Sequence, residues 1–286
     1  MLPKPLQAAL NPHLPSPVIS VTPVTGGCIH NALKLTTQSG PFFLKYNKIA
    51  DAPMFNAEAD GLRTLHQAAA IEVPLPIAQG VGGDHAFLLL PWIESAPRAH
   101  NFWEDLGQKL AHLHRHTQPQ HGYHRDNFIG SLPQVNRPLE DWRQYFVERR
   151  LIPMAGMARK AGLLDADTSS RLDSLLGKID DLIPAAAPSL LHGDLWQGNV
   201  MTGPDGCAAL IDPAVYYGHR EAEMAFTRLF AGFHEWFYQA YNEAWPMEPG
   251  WQERVDIYNL YPLMVHLNLF GRSYLPDIQE TVRKFT

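Results

Sequence analysis

The stretch Leu190-Leu191-His192-Gly193-Asp194-Leu195-Trp196-Gln197-Gly198-Asn199-Val200 determines how the rest of this 286-residue sequence is interpreted. A Gly-Asp turn after an apolar strand presents Asp194 at a loop tip, where its carboxylate can accept a hydroxyl proton. Asn199 returns to the same place, and Asp212 follows a second short apolar strand. Their amide and carboxylate oxygens are ligands that Mg²⁺ prefers. Taken singly, these residues could be ordinary turn formers. Together and in this order they favour phosphoryl transfer, which needs positioning and charge neutralisation.

Composition limits the other functions that the chain could have. With 45% hydrophobic and 18% charged residues it is typical of globular proteins, and no run approaches the roughly 20 apolar residues of a membrane span. The N-terminus lacks the apolar core of a signal peptide, so we expect a cytoplasmic protein without a membrane partner. The net charge of −6 and the lack of a basic cluster beyond Arg149-Arg150 argue against nucleic-acid binding. Cys28 and Cys207 form no metal-spaced pair.

The first third of the sequence predicts an antiparallel meander. Residues 18–24, 32–37 and 42–46 have the composition of strands, and short glycine-containing turns separate them. The first turn holds Gly26, Gly27, Cys28 and Asn31 and is small enough for its backbone N–H groups to approach phosphate oxygens. An ordinary hairpin turn is the alternative, because the full glycine-rich fingerprint is missing. Residues 1–17 are rich in proline and are interpreted as a short leader.

Lys45 and Glu58 form a candidate ion pair. Lys45 ends the third strand, and a helix is predicted to follow with Pro53 in its first turn. Glu58 shares the apolar stripe of that helix with leucines, where a carboxylate needs a partner. A strand lysine paired with a helix glutamate orients the lysine toward nucleotide phosphates. The alternative is that both are solvated surface charges.

Two more strands, 75–80 and 85–90, lead into a candidate hinge. The hinge consists of an apolar segment bent at a proline: Leu90, Pro91, Trp92 and Ile93. Its backbone could pair with an adenine edge between apolar walls. A plain strand followed by a loop is the alternative. The hinge divides the chain into a nucleotide-binding part, 1–92, and a larger part, 93–286.

The second part is predicted to be mostly helical. A helix starts after Asn101, and further helical segments are expected at 139–151, 168–183, 219–231, 234–245, 251–271 and 274–285. The fold class is therefore α+β, with an N-terminal antiparallel sheet carrying one main helix and a larger helical part holding the chemistry.

With these elements placed, the chain resembles kinase-like small-molecule phosphotransferases such as aminoglycoside and choline kinases, and more closely the fructosamine kinase (ketosamine-3-kinase) family. The resemblance rests on stretches spread over most of the length: residues 26–31, 58–62, 124–130, 141–151, 191–199, 211–221 and 263–271. The most specific are Gly-Asp-Leu-Trp-x-Gly-Asn, from Gly193, and Asp-Pro-Ala-Val-Tyr-Tyr-Gly-His-Arg-Glu, from Asp212.

The resemblance implies a bilobal protein-kinase-like fold and ATP- and Mg²⁺-dependent phosphorylation of the sugar 3-hydroxyl of ketosamines, free or protein-bound, which leads to deglycation. Asp194 would be the base, and Asn199 with Asp212 would hold the metal. Lys45, anchored by Glu58, would hold phosphates. His219 and Glu223 would brace the site and are grouped with Trp196 as candidate substrate-side residues. A monomer or weak dimer is expected.

Two departures from protein kinases favour a small acceptor. Trp196 stands where a cation is usual, and its ring suits the face of a sugar, although core packing is the alternative. No activation segment separates Asp212 from the next helix. Another small-molecule kinase and an inactive nucleotide-binding module remain as rival functions. Oxidation of Cys28 could block the nucleotide turn, or Cys28 could be an inert small residue.

Overall fold

The computed structural model describes residues 2–25 and 29–286. By packing, the chain forms a first unit, Met1–Phe102 with Val200–Pro213, and a second unit, Trp103–Asn199 with Ala214–Thr286. The first unit thus extends beyond the expected division at 92/93 and takes in a later segment. The reason is that Ala96 N–H donates to Gly203 O at 3.3 Å and Ala99 N–H to Gly206 O at 3.0 Å, which joins the residues after the candidate hinge to that segment.

The helices and strands of the described residues have the following bounds. The helices are α1 Lys4–Leu10, α2 Ala52–Ala68, α3 Phe102–His114, α4 Trp142–Tyr145, α5 Ile152–Lys160, α6 Ala166–Leu176, α7 Ile179–Leu182, α8 Arg220–Phe226, α9 Glu235–Ala244, α10 Trp251–Phe270 and α11 Leu275–Phe285. The strands are β1 Val18–Pro23, β2 Asn31–Thr37, β3 Gly40–Lys48, β4 Ala78–Gly82, β5 His85–Pro91, β6 Asn127–Ile129, β7 Leu132–Gln134, β8 Ser189–Leu191, β9 Val200–Thr202, β10 Ala208–Leu210 and β11 Tyr216–Gly218.

The first unit is built on a five-stranded sheet of order β1-β2-β3-β5-β4. Every pairing in it is antiparallel, as the meander pattern predicts. Lys45 lies opposite Leu88 of the neighbouring strand β5. α2 starts with Pro53 in its first turn, where proline's fixed φ suits a helix. This helix packs against β4 and β5 and brings Glu58 toward the sheet.

Residues 1–17 are not a bare leader, and that prediction is wrong. Leu2, Leu6 and Leu10 recur every four residues and all lie in the core of the sheet with Leu35 and Phe87; α1 carries Leu6 and Leu10, and Leu2 precedes it. Of the prolines that suggested an irregular segment, Pro3 and Pro5 lie at the start of α1, where proline is well tolerated, and the others follow the helix. The N-terminal helix is therefore an integral part of the first unit.

The second unit is organised around α10, which packs against α5, α8 and α11. This helix is buried on most of its circumference and tolerates Pro262 in its interior. Two expected helices are shorter than predicted: the segment 168–183 divides at Gly177 into α6 and α7, and α8 ends at Phe226. Among the residues that the structure describes, no helix is long and apolar enough to cross a membrane.

Candidate active site

The turn that carries Asp194 is held between two short buried strands of the second unit. β8 pairs antiparallel with β11, with Leu191 opposite Tyr216, so the turn leaves a fixed base. Gly193 has φ of +84°, a left-handed conformation that suits glycine. A Cβ at Gly193 would meet Ala214 C at 2.7 Å. Glycine is therefore required both by the turn and by the close approach of a neighbouring chain segment.

Asn199 is bonded directly to Asp194. Its Nδ2 donates to Asp194 O at 2.8 Å and to Asp194 Oδ2 at 3.0 Å, and its side chain is buried. The asparagine therefore orients the aspartate carboxylate and keeps its own carbonyl oxygen, Oδ1, on the opposite side of the amide. The local pattern of an Asp and an Asn five residues apart thus produces one connected pair of polar groups.

Glu223 of α8 stabilises the same turn by accepting hydrogen bonds from its backbone. Its Oε1 accepts from Gly193 N–H at 2.7 Å, and its Oε2 accepts from His192 N–H at 3.1 Å. Burial raises the pKa of Glu223, but the bonds from His114 and from the backbone outweigh it and hold the pKa below its usual value. A buried, ionised carboxylate therefore fixes the two peptide groups that precede Asp194, the bracing role that the resemblance implies.

His114, at the end of α3, completes this brace. Its Nε2 lies 2.9 Å from Glu223 Oε2 and its Nδ1 2.8 Å from the Tyr241 hydroxyl, and the imidazole is fully buried. Sequence analysis did not single out His114. A signal existed, because His114 lies four residues after Leu110 on the buried stripe of α3.

His219 caps α8 and faces the aromatic core. Its Nδ1 accepts from Glu221 N–H at 2.9 Å, and its ring lies 6.0 Å from that of Trp142 and 5.8 Å from that of Tyr258. Burial and the cations of Arg220 and Arg254 lower the pKa of His219 to about 3, so it is neutral. This position favours bracing of α8 over contact with a substrate.

A second polar group lies in the first unit. Lys45 Nζ lies 2.8 Å from Glu58 Oε1 and 2.5 Å from Asp212 Oδ1. Burial by itself would lower the pKa of Lys45, but the two carboxylates hold it above its usual value. The Lys45–Glu58 pair expected from the sequence is formed, and Asp212 adds a second carboxylate. The result is a buried cation between two anions.

Asp212 is the exposed member of this group. Its side chain is 41% accessible, and its backbone has φ of +56°, which is rare for a residue other than glycine. Backbone strain of this kind concentrates at functional sites. The carboxylate can therefore bind Lys45 and still face a ligand.

The donor set fits a magnesium ion. Asp212 offers a partly exposed carboxylate, and the orientation of the Asn199 amide leaves a neutral carbonyl oxygen. Oxygen ligands of this kind, completed by phosphate and water oxygens, are what Mg²⁺ takes in nucleotide sites.

The candidate adenine-binding segment is well packed at its start. Leu90 is buried opposite Phe43, and Pro91 lies opposite Phe42 at the end of β5. Lys34 Nζ lies 4.2 Å from the ring centre of Trp92, so the lysine contacts one face of the indole. Contact of this segment with adenine stays a prediction.

The candidate phosphate turn lies partly within the described residues. Gly26, Gly27 and Cys28 lie outside the described residues. Asn31 is exposed at the start of β2, opposite Tyr46. Its role, like that of the three preceding residues, stays a prediction.

Trp196 lies two residues after Asp194 and is half-buried. Its ring folds over Gly198, where a Cβ would collide with the indole, and its edge meets Phe230 with ring centres 6.1 Å apart. The indole is thus fixed beside the turn without being enclosed in the core. Sequence analysis singled out Trp196 but missed the aromatic residues around it.

Comparison with known proteins gives one consistent result. The family model for fructosamine kinase matches residues 7–286. A probable ketoamine kinase of Synechocystis is 37% identical over 262 residues, which cover 91% of this chain and 88% of that protein. A chloroplastic protein-ribulosamine 3-kinase of Oryza sativa subsp. indica is 37% identical over 265 residues, which cover 90% of this chain and 76% of that protein.

Solved structures agree with this. A protein from Haemophilus somnus assigned as a fructosamine-3-kinase superposes with a TM-score of 0.87 at 28% identity, covering 99% of this chain and 96% of that one. The aminoglycoside phosphotransferase APH(4)-Ia gives 0.67 at 16% identity, with 99% of both chains covered. The second likeness shows the fold alone, and it confirms the predicted kinase-like α+β class.

Proposed function

This chain belongs to the fructosamine kinase family, and from that premise we propose that it transfers a phosphoryl group from ATP to the sugar 3-hydroxyl of ketosamines. Membership makes it a phosphotransferase with a hydroxyl acceptor. The observation that carries the proposal is the buried Lys45 cation between Glu58 and Asp212. A lysine held in this way supplies a fixed positive charge for nucleotide phosphates.

On the acceptor side, Asp194 takes the proton of the attacking hydroxyl. Its carboxylate is oriented by Asn199 Nδ2, and its backbone turn is fixed by Glu223. A base that is already in position loses little entropy when the substrate binds, which is where much of the rate enhancement originates. The half-buried ring of Trp196 then offers a flat apolar surface for the sugar.

On the donor side, Lys45 binds phosphate oxygens, and Asn199 and Asp212 hold Mg²⁺. The bound ion supplies neutralisation of the charge that develops on the transferred group. Glu58 keeps the lysine in place. Nucleotide contacts by Gly26, Gly27, Cys28 and Asn31, and by the segment Leu90, Pro91, Trp92 and Ile93, belong to the proposal.

The product chemistry suggests a repair role. A phosphate on the 3-position makes the sugar adduct labile, so the amine is released and the glycation is reversed. We place this activity in the cytoplasm, on free or protein-bound ketosamines, with the enzyme acting as a monomer or weak dimer.

One experiment tests the proposal against its rivals. Purified protein is assayed for ATP turnover with a fructosamine, a ribulosamine, an aminoglycoside and choline. We expect turnover with the ketosamines only, and a fall in kcat of about 10³-fold or more for Asp194→Asn, since base and positioning act together. Asp181→Asn, an exposed aspartate, is the matched control and should leave kcat unchanged.

Turnover of choline or the aminoglycoside alone would contradict the ketosamine assignment and favour another small-molecule kinase. ATP binding without turnover of any acceptor would instead favour an inactive nucleotide-binding module.

A further inference from the structure

A partly exposed aromatic cluster continues from Trp196. It consists of Trp196, Phe230, His266 and Tyr274, which all lie in the second unit and are all half-buried. Ring centres are 6.1 Å apart for Trp196 and Phe230, 4.7 Å for Phe230 and His266, and 5.1 Å for His266 and Tyr274. Contiguous exposed apolar surface marks ligand grooves and interaction sites more often than scattered single residues do.

Phe230 holds its place in this cluster at a conformational cost. Its φ is +52°, and that of the following Ala231 is +77°. Left-handed backbone at two successive residues other than glycine is strained and persists only where the surroundings impose it. The loop is held by Gly232 N–H, which donates to Leu229 O at 3.1 Å, and by Phe233 N–H, which donates to Thr227 O at 3.1 Å. In this loop the Phe230 ring lies beside the rings of Trp196 and His266.

His266 offers the cluster a hydrogen-bond acceptor. Its Nδ1 lies 2.8 Å from Pro262 O, and a carbonyl only accepts, so Nδ1 carries the hydrogen. Burial lowers the pKa of His266, although the bond to Pro262 opposes this, so the ring is neutral near pH 7. Nε2 therefore presents a lone pair, and among residues 2–25 and 29–286 no side chain or backbone group hydrogen-bonds to it.

Among the residues that the structure describes, no lysine or arginine lies over the rings of Trp196, Phe230 or Tyr274. Arg228, two residues before Phe230, stacks instead on Tyr238 at 4.4 Å and on Trp251 at 4.7 Å. Aromatic faces together with one acceptor are the chemistry that recognises an ammonium group, which needs both cation–π attraction and a partner for its N–H.

We propose that Phe230, His266 and Tyr274 bind the protonated amine nitrogen of the ketosamine while its sugar lies on Trp196. This inference rests on the proposed function. Four covalent bonds separate that nitrogen from the 3-hydroxyl oxygen, so the two atoms are at most about 5 Å apart. An ammonium group would therefore lie within about 5 Å of the hydroxyl that reaches Asp194, and Asp194 is two residues from Trp196 in the same turn. The cluster thus distinguishes a ketosamine from a plain ketose, which has no cation.

The test compares two acceptors that differ in one atom: an N-alkyl fructosamine and the 1-O-alkyl fructose with the same alkyl group. We expect wild type to prefer the nitrogen compound by about tenfold or more in kcat/KM. Phe230→Leu keeps apolar volume but removes the ring, and it should raise KM for the nitrogen compound by about five- to tenfold. It should leave the oxygen compound unaffected. Phe230→Tyr should retain the preference.

Phe285→Leu, the same change at the far end of α11, is the matched control, and thermal unfolding verifies that each variant is folded. Equal impairment of both acceptors by Phe230→Leu, or an unchanged preference, would overturn the inference. Calorimetric binding of both compounds to Asp194→Asn gives a readout that is independent of turnover. Absence of turnover in wild type would refute the proposed function, whereas equal Kd values for the two compounds would refute the ammonium site.

Discussion

At the scale of single residues, Lys45 shows how partners distant in sequence determine the charge of a buried side chain. A lysine buried without carboxylates would have its pKa lowered and would lose its charge. Glu58 at 2.8 Å and Asp212 at 2.5 Å instead hold its pKa above the usual value. Lys45 therefore stays cationic near neutral pH, as binding of phosphate oxygens requires.

Gly193 gives a sharp prediction at the same scale. Gly193→Ala should destabilise the protein by about 1–3 kcal/mol, because alanine disfavours a φ of +84°. It should also lower kcat at least tenfold, since its Cβ would push against Ala214 and move the peptide group next to Asp194. Chemical denaturation and steady-state kinetics measure the two effects.

The control for this change is Gly156→Ala in α5, where a Cβ would meet nothing within 4 Å. It should be neutral or stabilising by up to about 1 kcal/mol, since alanine favours helix. Similar losses in both variants would contradict the explanation.

At the scale of elements, Glu223 joins α8 to the turn that carries Asp194. We expect this link to make the stability of the protein depend on pH. The pKa of Glu223 is lowered in the folded state. Its ionisation therefore stabilises the folded protein above the unfolded pKa of about 4.3, and this stabilisation is lost as the pH falls through the folded pKa. Glu223→Gln should cost about 3 kcal/mol at neutral pH. The difference from wild type should shrink between pH 5 and the acid limit of the measurement.

Denaturation curves from about pH 7 to pH 3 measure this difference. Glu280→Gln, an exposed position on α11, is the control and should show no such trend. A difference between Glu223→Gln and wild type that stays constant over this range would contradict an ionised Glu223.

The N-terminal helix α1 makes a second prediction for an element. Leu6 is fully buried against the sheet, so Leu6→Ala should destabilise the protein by about 2–5 kcal/mol. Lys4→Ala, at an exposed position of the same helix, should change stability by less than about 0.5 kcal/mol. Thermal unfolding compares the two, and an equal effect would mean that residues 1–17 behave as a leader after all.

At the scale of the whole molecule, the first unit is discontinuous in sequence. Residues Val200–Pro213 belong to it, and Leu210 N–H donates to Glu72 O at 2.9 Å. A fragment of residues 1–102 lacks the fully buried strand β10 and the Asp212 partner of Lys45. We expect this fragment to melt without a cooperative transition, and residues 200–213 attached through a flexible linker should restore one. Circular dichroism follows both melts, and identical curves would contradict the division.

The sequence alone indicated the family, the antiparallel sheet and five candidate site residues, Lys45, Glu58, Asp194, Asn199 and Asp212. These features depend on short-range patterns: an apolar strand that ends in a polar residue, a Gly-Asp turn, a carboxylate on an apolar helical stripe. Each pattern is contained within about a dozen residues, so periodicity and turn chemistry are enough to recognise it.

Only the tertiary structure decided which groups distant in sequence meet. Asp212 reaches Lys45 across 167 positions, and Glu223 reaches His114 across 109. Phe230 meets His266 between separate elements of the second unit, and α1 covers the sheet although its prolines suggested a leader. The physical reason is that such contacts depend on how buried elements pack against one another, and a local pattern specifies the buried face of an element but not its neighbour.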